Sequence, residues 1–172
     1  MALQLAIAPP LLFLLARRAG GYPSLRAEPW LQRLADARTV SKFHGHLGPW
    51  AALGLKMGRH ALQILGHKGY FGLTTTVEIT PEPPSSCLVD GLQLSTGCSY
   101  GKRNIEIVPS DSVRVRIKEE GKPVALVITL TSAAEALTAG INKENQQERF
   151  FAVLRASPAD LFVIERTDAQ TQ

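Results

Sequence analysis

The chain has 172 residues, 45% apolar and 20% charged, with 19 basic against 15 acidic side chains for a net charge of +4. Those are the proportions of one globular domain with room for a sizeable core, and no stretch is apolar for long enough to make a membrane-spanning helix. The basic excess is mild and its pairs, Lys102-Arg103 and Arg114/Arg116, are not interleaved with aromatics, which argues against a nucleic-acid partner. Two cysteines make no disulfide framework, so a reduced, cytoplasmic compartment is expected.

Residues 1–24 read as a loose N-terminal extension, and 25–172 as a single domain. Leu5 to Leu15 is apolar, but Pro9-Pro10 interrupts it and Arg17-Arg18 follow it, the reverse of a secretory signal. Glu28 to Arg38 predicts a short helix with Trp30, Leu31, Leu34 and Ala35 on one side and Arg33 and Arg38 on the other. Thr39 to Gly48 reads as a connecting loop. Pro49 to Leu65 is the clearest helix: Pro49 suits its first position, Leu53, Met57, Ala61, Ile64 and Leu65 recur at helical spacing, and Gly66 stops it. Gly54 and Gly58 lie four apart on that helix and permit close approach of a neighbouring element, a second copy of the chain being one candidate.

Thr74 to Thr80 is β-branched and predicts a strand. Ser86 is the expected cap of a helix from Cys87 to about Ser95. Asn104 to Val108 reads as a strand. Ser112 to Glu119 and Pro123 to Thr131 read as a hairpin closed by Glu120-Gly121-Lys122. Ser132 and Glu135 form the pattern of a capping box opening a helix to Thr138. Asn142 to Ala156 predicts a further helix with Phe150, Val153 and Leu154 buried, and Leu161 to Glu165 a last strand. The fold class is α+β, with an antiparallel sheet and helices at the C-terminal end.

Chemistry concentrates in two stretches. His44 and His46 sit two apart before the helix opened by Pro49. On an extended backbone both imidazoles would point to one side, where they can bind a late transition metal. Cys87 and Asp90 lie three apart and share a helix face; a thiol at a helix N-terminus tends to a lowered pKa, although a free cysteine is also commonly a small buried hydrophobe. The segment Thr96 to Asn104 is like a phosphate loop but one residue short, with Arg103 where a magnesium-binding Ser or Thr belongs, so a nucleoside-triphosphate site is excluded. Gly97 and Gly101 still let main-chain N–H groups converge on an anion, with Lys102 assisting. His60 and His67 have no comparable surroundings.

Phe43-His44-Gly45-His46-Leu47, then Pro49, with Gly54 and Met57-Gly58 behind, is followed by Cys87-x-x-Asp90-x-x-Gln93-x-x-Thr96-Gly97-Cys98-x-x-Gly101-Lys102-x-Asn104. In order and spacing this resembles the FmdE family, named after formylmethanofuran dehydrogenase, from about residue 41 to 165. Ala159-Asp160-Leu161-Phe162 is similar to the end of that family's domain. The resemblance implies a long helix packed on an antiparallel sheet, a homodimer, and a pocket where the two motifs meet around a divalent metal ion, zinc above all. It implies a metal-dependent enzyme or an accessory protein linked to one-carbon or molybdenum-enzyme metabolism.

His44, His46, Cys87 and Cys98 are then the expected ligands, Asp90 and Cys87 the expected catalytic groups, and Gly97, Gly101 and Lys102 the expected seat of a small anionic ligand. Family members typically carry Cys after His-Gly-His-Leu, where this chain has Gly48. No cysteine follows Cys98, so the four-cysteine zinc ribbon of many members is not expected here. The alternative is a non-catalytic dimeric binding or assembly module whose site has decayed at Gly48. Thiol redox chemistry between Cys87 and Cys98 ranks behind both, because no Cys-x-x-Cys is present.

Overall fold

The computed structural model describes residues 29–168; the N-terminal extension expected over 1–24 lies outside them. Six helices and five strands follow one another: α1 Pro29–His44, α2 Pro49–Leu65, β1 Leu73–Ile79, α3 Cys87–Thr96, β2 Ile105–Pro109, β3 Arg114–Glu119, β4 Val124–Leu130, α4 Ser132–Thr138, α5 Gln146–Arg155, α6 Pro158–Leu161 and β5 Phe162–Asp168. The α+β class is as expected. The sheet is mixed rather than wholly antiparallel. Its order is β2-β1-β3-β4-β5, and β1 runs parallel to β2 with Thr75 opposite Ile105. The cause is the connection: β1 reaches β2 through α3, and a helical crossover returns the chain in the same direction.

Alternation along the strands decides which face is covered. Leu73, Val77 and Ile79 of β1 and Val115 and Ile117 of β3 are buried in one core with Leu53, Leu55 and Met57 of α2. The opposite face carries Glu78, Arg114 and Lys118 at alternate positions. α2 ends as its sequence predicts. Gly66 adopts φ +65° and donates its N–H to Gln63 and Leu62 carbonyls.

Two helix starts differ from expectation. α4 is capped by Thr131, whose hydroxyl accepts from Ala134 N–H; Ser132 is already helical, because β4 delivers Thr131 in the extended conformation a cap requires. The capping box lies instead at α6, between Ser157 and Asp160. Among the described residues no helix is long and apolar enough to cross a membrane.

α1 is longer than predicted and turned the other way. Asp36, Ala37 and Val40 face inward, while Trp30, Leu31 and Leu34 are exposed. A bidentate pair sets this rotation: Arg59 of α2 meets both Asp36 oxygens at 2.7 Å, and Gln32 adds a bond at 2.8 Å. Thr39 Oγ1 back-bonds to Ala35 O, so the backbone stays helical past Arg38.

Lys56 ties α2 to α5. Its ammonium donates to the carbonyls of Leu154 (3.0 Å), Val153 (3.3 Å) and Ala156, which are orphan acceptors at a helix C-terminus. Lys56→Met leaves them unpaired and is expected to lower the stability measured by urea unfolding by roughly 1–3 kcal/mol.

Candidate metal centre

Extension of α1 moves His44 out of the expected loop and makes it the last helical residue. Gly45 follows at φ +87°, a conformation that favours glycine, and its N–H closes on Ser41 O. That reversal, not an extended strand, brings His46 back beside His44. The ring centroids are 4.3 Å apart and the planes inclined by 39°.

Both imidazoles lie over Gly48, the residue that opens α2. A Cβ placed on Gly48 would be 3.0 Å from His46 Nε2 and 3.7 Å from His44 Nε2. The two Nε2 atoms therefore share the small space that a side chain at position 48 would fill. Nδ1 of His44 meets Asp90 Oδ2 at 2.6 Å, with the His44 side chain 7% and the Asp90 side chain 33% exposed. An ionised Asp90 accepts from Nδ1–H, which leaves Nε2 without a proton and with a free lone pair. That Nε2 is buried and has no hydrogen-bond partner. Burial, and then the neighbouring His44, lower the pKa of His46, so this imidazole is neutral at neutral pH.

Asp90 reaches His44 because α2 and α3 pack backbone to backbone. The approach permitted by Gly54 and Gly58 is made by α3: an added Cβ on Gly54 would overlap the Leu88 carbonyl, and one on Gly58 the Ser95 hydroxyl. Gly91, next to Asp90, completes the contact, since its Cβ would overlap Ala51 O. Gly91 is not among the sequence-derived candidates. A glycine inside an apolar helical run was the available signal, because such a glycine usually has a packing reason.

The sulfur atoms are placed differently. Cys98 is fully buried in the core, where its thiol lies 3.5 Å from Thr75 Oγ1 and 3.9 Å from Leu73 O. Cys87 opens α3, but the helix mouth has no spare donors. The N–H groups of Cys87, Leu88 and Val89 bond to Pro84, Ser85 and Ser86 carbonyls at 3.0–3.2 Å, and Ser86 is itself helical and caps nothing. Burial and the Asp90 charge push the Cys87 thiol up rather than down. Among the described residues no three His, Cys, Asp or Glu side chains converge on one point.

Lys102 donates to the carbonyls of Gly97 and Tyr70 and lies over the Tyr70 and Phe71 rings. Gly97 ends α3 at φ +70° against Tyr70, whereas Gly101 has open space around it. Of the sequence-derived candidates, His44, His46 and Asp90 are in direct contact. Cys87 adjoins them through Asp90. Cys98 and the 97–102 segment stand elsewhere.

The fold and the paired imidazoles define an α+β domain with a histidine-lined polar pocket at a helix entrance. Residues 43–163 match the family described as FmdE, Molybdenum formylmethanofuran dehydrogenase operon, and the chain belongs to that family. An FmdE-like protein of a tungsten formylmethanofuran dehydrogenase, from Syntrophus aciditrophicus, has a similar solved structure, with a TM-score of 0.59 over 80% of this chain and 73% of that one. At 20% identity the likeness is one of fold. A probable S-adenosyl-L-methionine-binding protein from Archaeoglobus fulgidus is 34% identical over 67 residues, which span 38% of this chain and 18% of that protein.

Proposed function

We propose that this FmdE domain holds one divalent metal ion, with zinc as the reference ion, through Nε2 of His44 and Nε2 of His46 above Gly48. The observation that carries this reading is the buried Nε2 of His44, unpartnered and facing the same small space as His46 Nε2. Asp90 acts through His44. It fixes the ring and its tautomer, as carboxylates behind metal-binding histidines do. His46, held neutral, offers its lone pair without first losing a proton.

A bound zinc supplies Lewis acidity, and with two protein nitrogens it keeps positions for outside ligands. Cys87 keeps its proton at neutral pH and stands beside Asp90, where it can hand a proton to a ligand entering the pocket. The broader role we infer is that of a metal-dependent enzyme or accessory protein in one-carbon or molybdenum-enzyme metabolism.

Competition between the protein and a chromophoric chelator for zinc tests the site. Gly48→Cys puts sulfur where the Cβ faces both Nε2 atoms, with exposed His46 free to yield slightly. It is expected to tighten zinc binding roughly 10–100-fold. An unchanged affinity counts against the site.

The bare Gly48 and the core position of Cys98 also favour a second reading, a non-catalytic binding or assembly module. The Archaeoglobus relative's description offers one ligand to try. Equilibrium dialysis with radiolabelled S-adenosyl-L-methionine supports the module reading on saturable binding that survives His44→Ala, and removes that ligand if none is retained.

A further inference from the structure

β2 is an edge strand with an open side. Thr75 N–H donates to Asn104 O at 2.9 Å and Ser110 N–H to Ile79 O at 3.2 Å, so the even-numbered positions turn their main-chain groups toward β1. The N–H and C=O of Ile105 and Ile107 consequently point away from the sheet. Pro109 brings no N–H, and a ladder built on this edge ends there.

Alongside the edge, between β2 and α3, runs a groove of about 770 Å³. Val89 of α3 with Ile105 and Ile107 makes its apolar floor. At the end where β2 begins stand Gly101, with open space beside it, and Arg103. Arg103 is exposed, and its guanidinium makes no hydrogen bond or ion pair among the described residues. The carboxylate nearest this groove, Glu106, already accepts from Thr76 Oγ1 at 2.9 Å.

A strand added antiparallel, the more stable arrangement, would run toward the start of β2 and bring its own C-terminus to Arg103. We propose that this groove takes the free C-terminal tail of a partner protein as a sixth strand. The tail's apolar side chains lie on Val89 and Ile107, and its terminal carboxylate sits at Arg103. Main-chain pairing supplies affinity, the apolar floor selects alternate residues, and the charge-assisted bond to Arg103 distinguishes a chain end from an internal segment.

Fluorescence anisotropy of the full chain tests this with fluorescein-labelled peptides Gly-Ser-Xaa-Thr-Zaa, where Xaa and Zaa run through the apolar residues. Each peptide is made as the free acid and as the C-terminal amide. At least one free acid is expected to saturate, with its amide bound about tenfold more weakly. Arg103→Glu should abolish that difference. Ile107→Pro, on an edge position whose N–H faces outward, should abolish binding with the melting temperature unchanged. The proposal is overturned if no peptide binds, if acid and amide bind alike, or if Ile107→Pro binds normally. It also fails if the edge proves to be occupied by a second copy, seen as a dimer that Ile107→Pro dissociates in sedimentation while no peptide binds. The acid–amide comparison with Arg103→Glu decides the matter alone should Ile107→Pro not fold.

Discussion

Gly91→Ala is expected to lower the stability of the domain by at least about 3 kcal/mol, a large part of what a domain of this size has. The added Cβ would overlap Ala51 O and lie 2.8 Å from the carbonyl carbon of Gly54. Both are main-chain atoms of α2, so no side-chain rotation relieves the clash, and one helix must move. Gly54→Ala meets the backbone of Leu88 in the same way. Urea unfolding of either variant measures the effect, and a loss under about 1 kcal/mol would show that the two helices can separate cheaply. Separation has a chemical consequence as well. Asp90 is the neighbour of Gly91, so a displaced α3 withdraws the carboxylate from His44. Zinc affinity should fall with stability in these variants, even though neither glycine touches the imidazoles.

The second large effect is on metal binding itself. His44→Ala removes one of the two proposed donors and should abolish zinc retention. Asp90→Asn keeps an oxygen that can accept from Nδ1–H but removes the charge, and is expected to weaken zinc binding roughly 10–100-fold. Isothermal titration with zinc measures both. An Asp90→Asn affinity equal to that of the parent would mean that the 2.6 Å contact orients nothing that matters.

The same titration across pH carries a direction. Because the pKa of His46 is lowered, its lone pair stays available below pH 6.5, and zinc affinity should decline only on further acidification. For the metal-free protein the linkage runs the same way. The unfolded chain takes up its proton at the ordinary imidazole value and the folded chain at a lower one. Stability should therefore be level above about pH 6.5 and fall as pH drops from there toward the lowered value.

Much of this was legible in the sequence because local rules governed it. Pro49 and Gly66 bound α2 as they should, and the β3–β4 hairpin follows from alternation around Gly121. The proximity of His44, His46 and Asp90 was readable from two separated motifs. The illegible parts depend on distant partners. Trp30, Leu31 and Leu34 suggest a face for α1, yet Arg59 on another helix rotates that face outward by claiming Asp36. Cys87 has the sequence context of an activated thiol, but the Pro84–Ser86 turn consumes the helix-end donors, and Asp90 adds negative charge beside it. Cys98 sits in a polar-looking loop and still packs as a core residue, because Leu73 and Thr75 of β1 close around it. The parallel β1–β2 pair follows from where α3 docks, and that rests on a backbone contact at Gly91 which no periodicity reveals.

X-ray absorption at the zinc edge tests the proposed centre most directly, on the zinc-loaded chain beside its His46→Ala variant. Two imidazole nitrogens in the first shell of the parent, and one fewer in the variant, are the predicted result. A sulfur-dominated shell, or a shell that His46→Ala leaves unchanged, would contradict it.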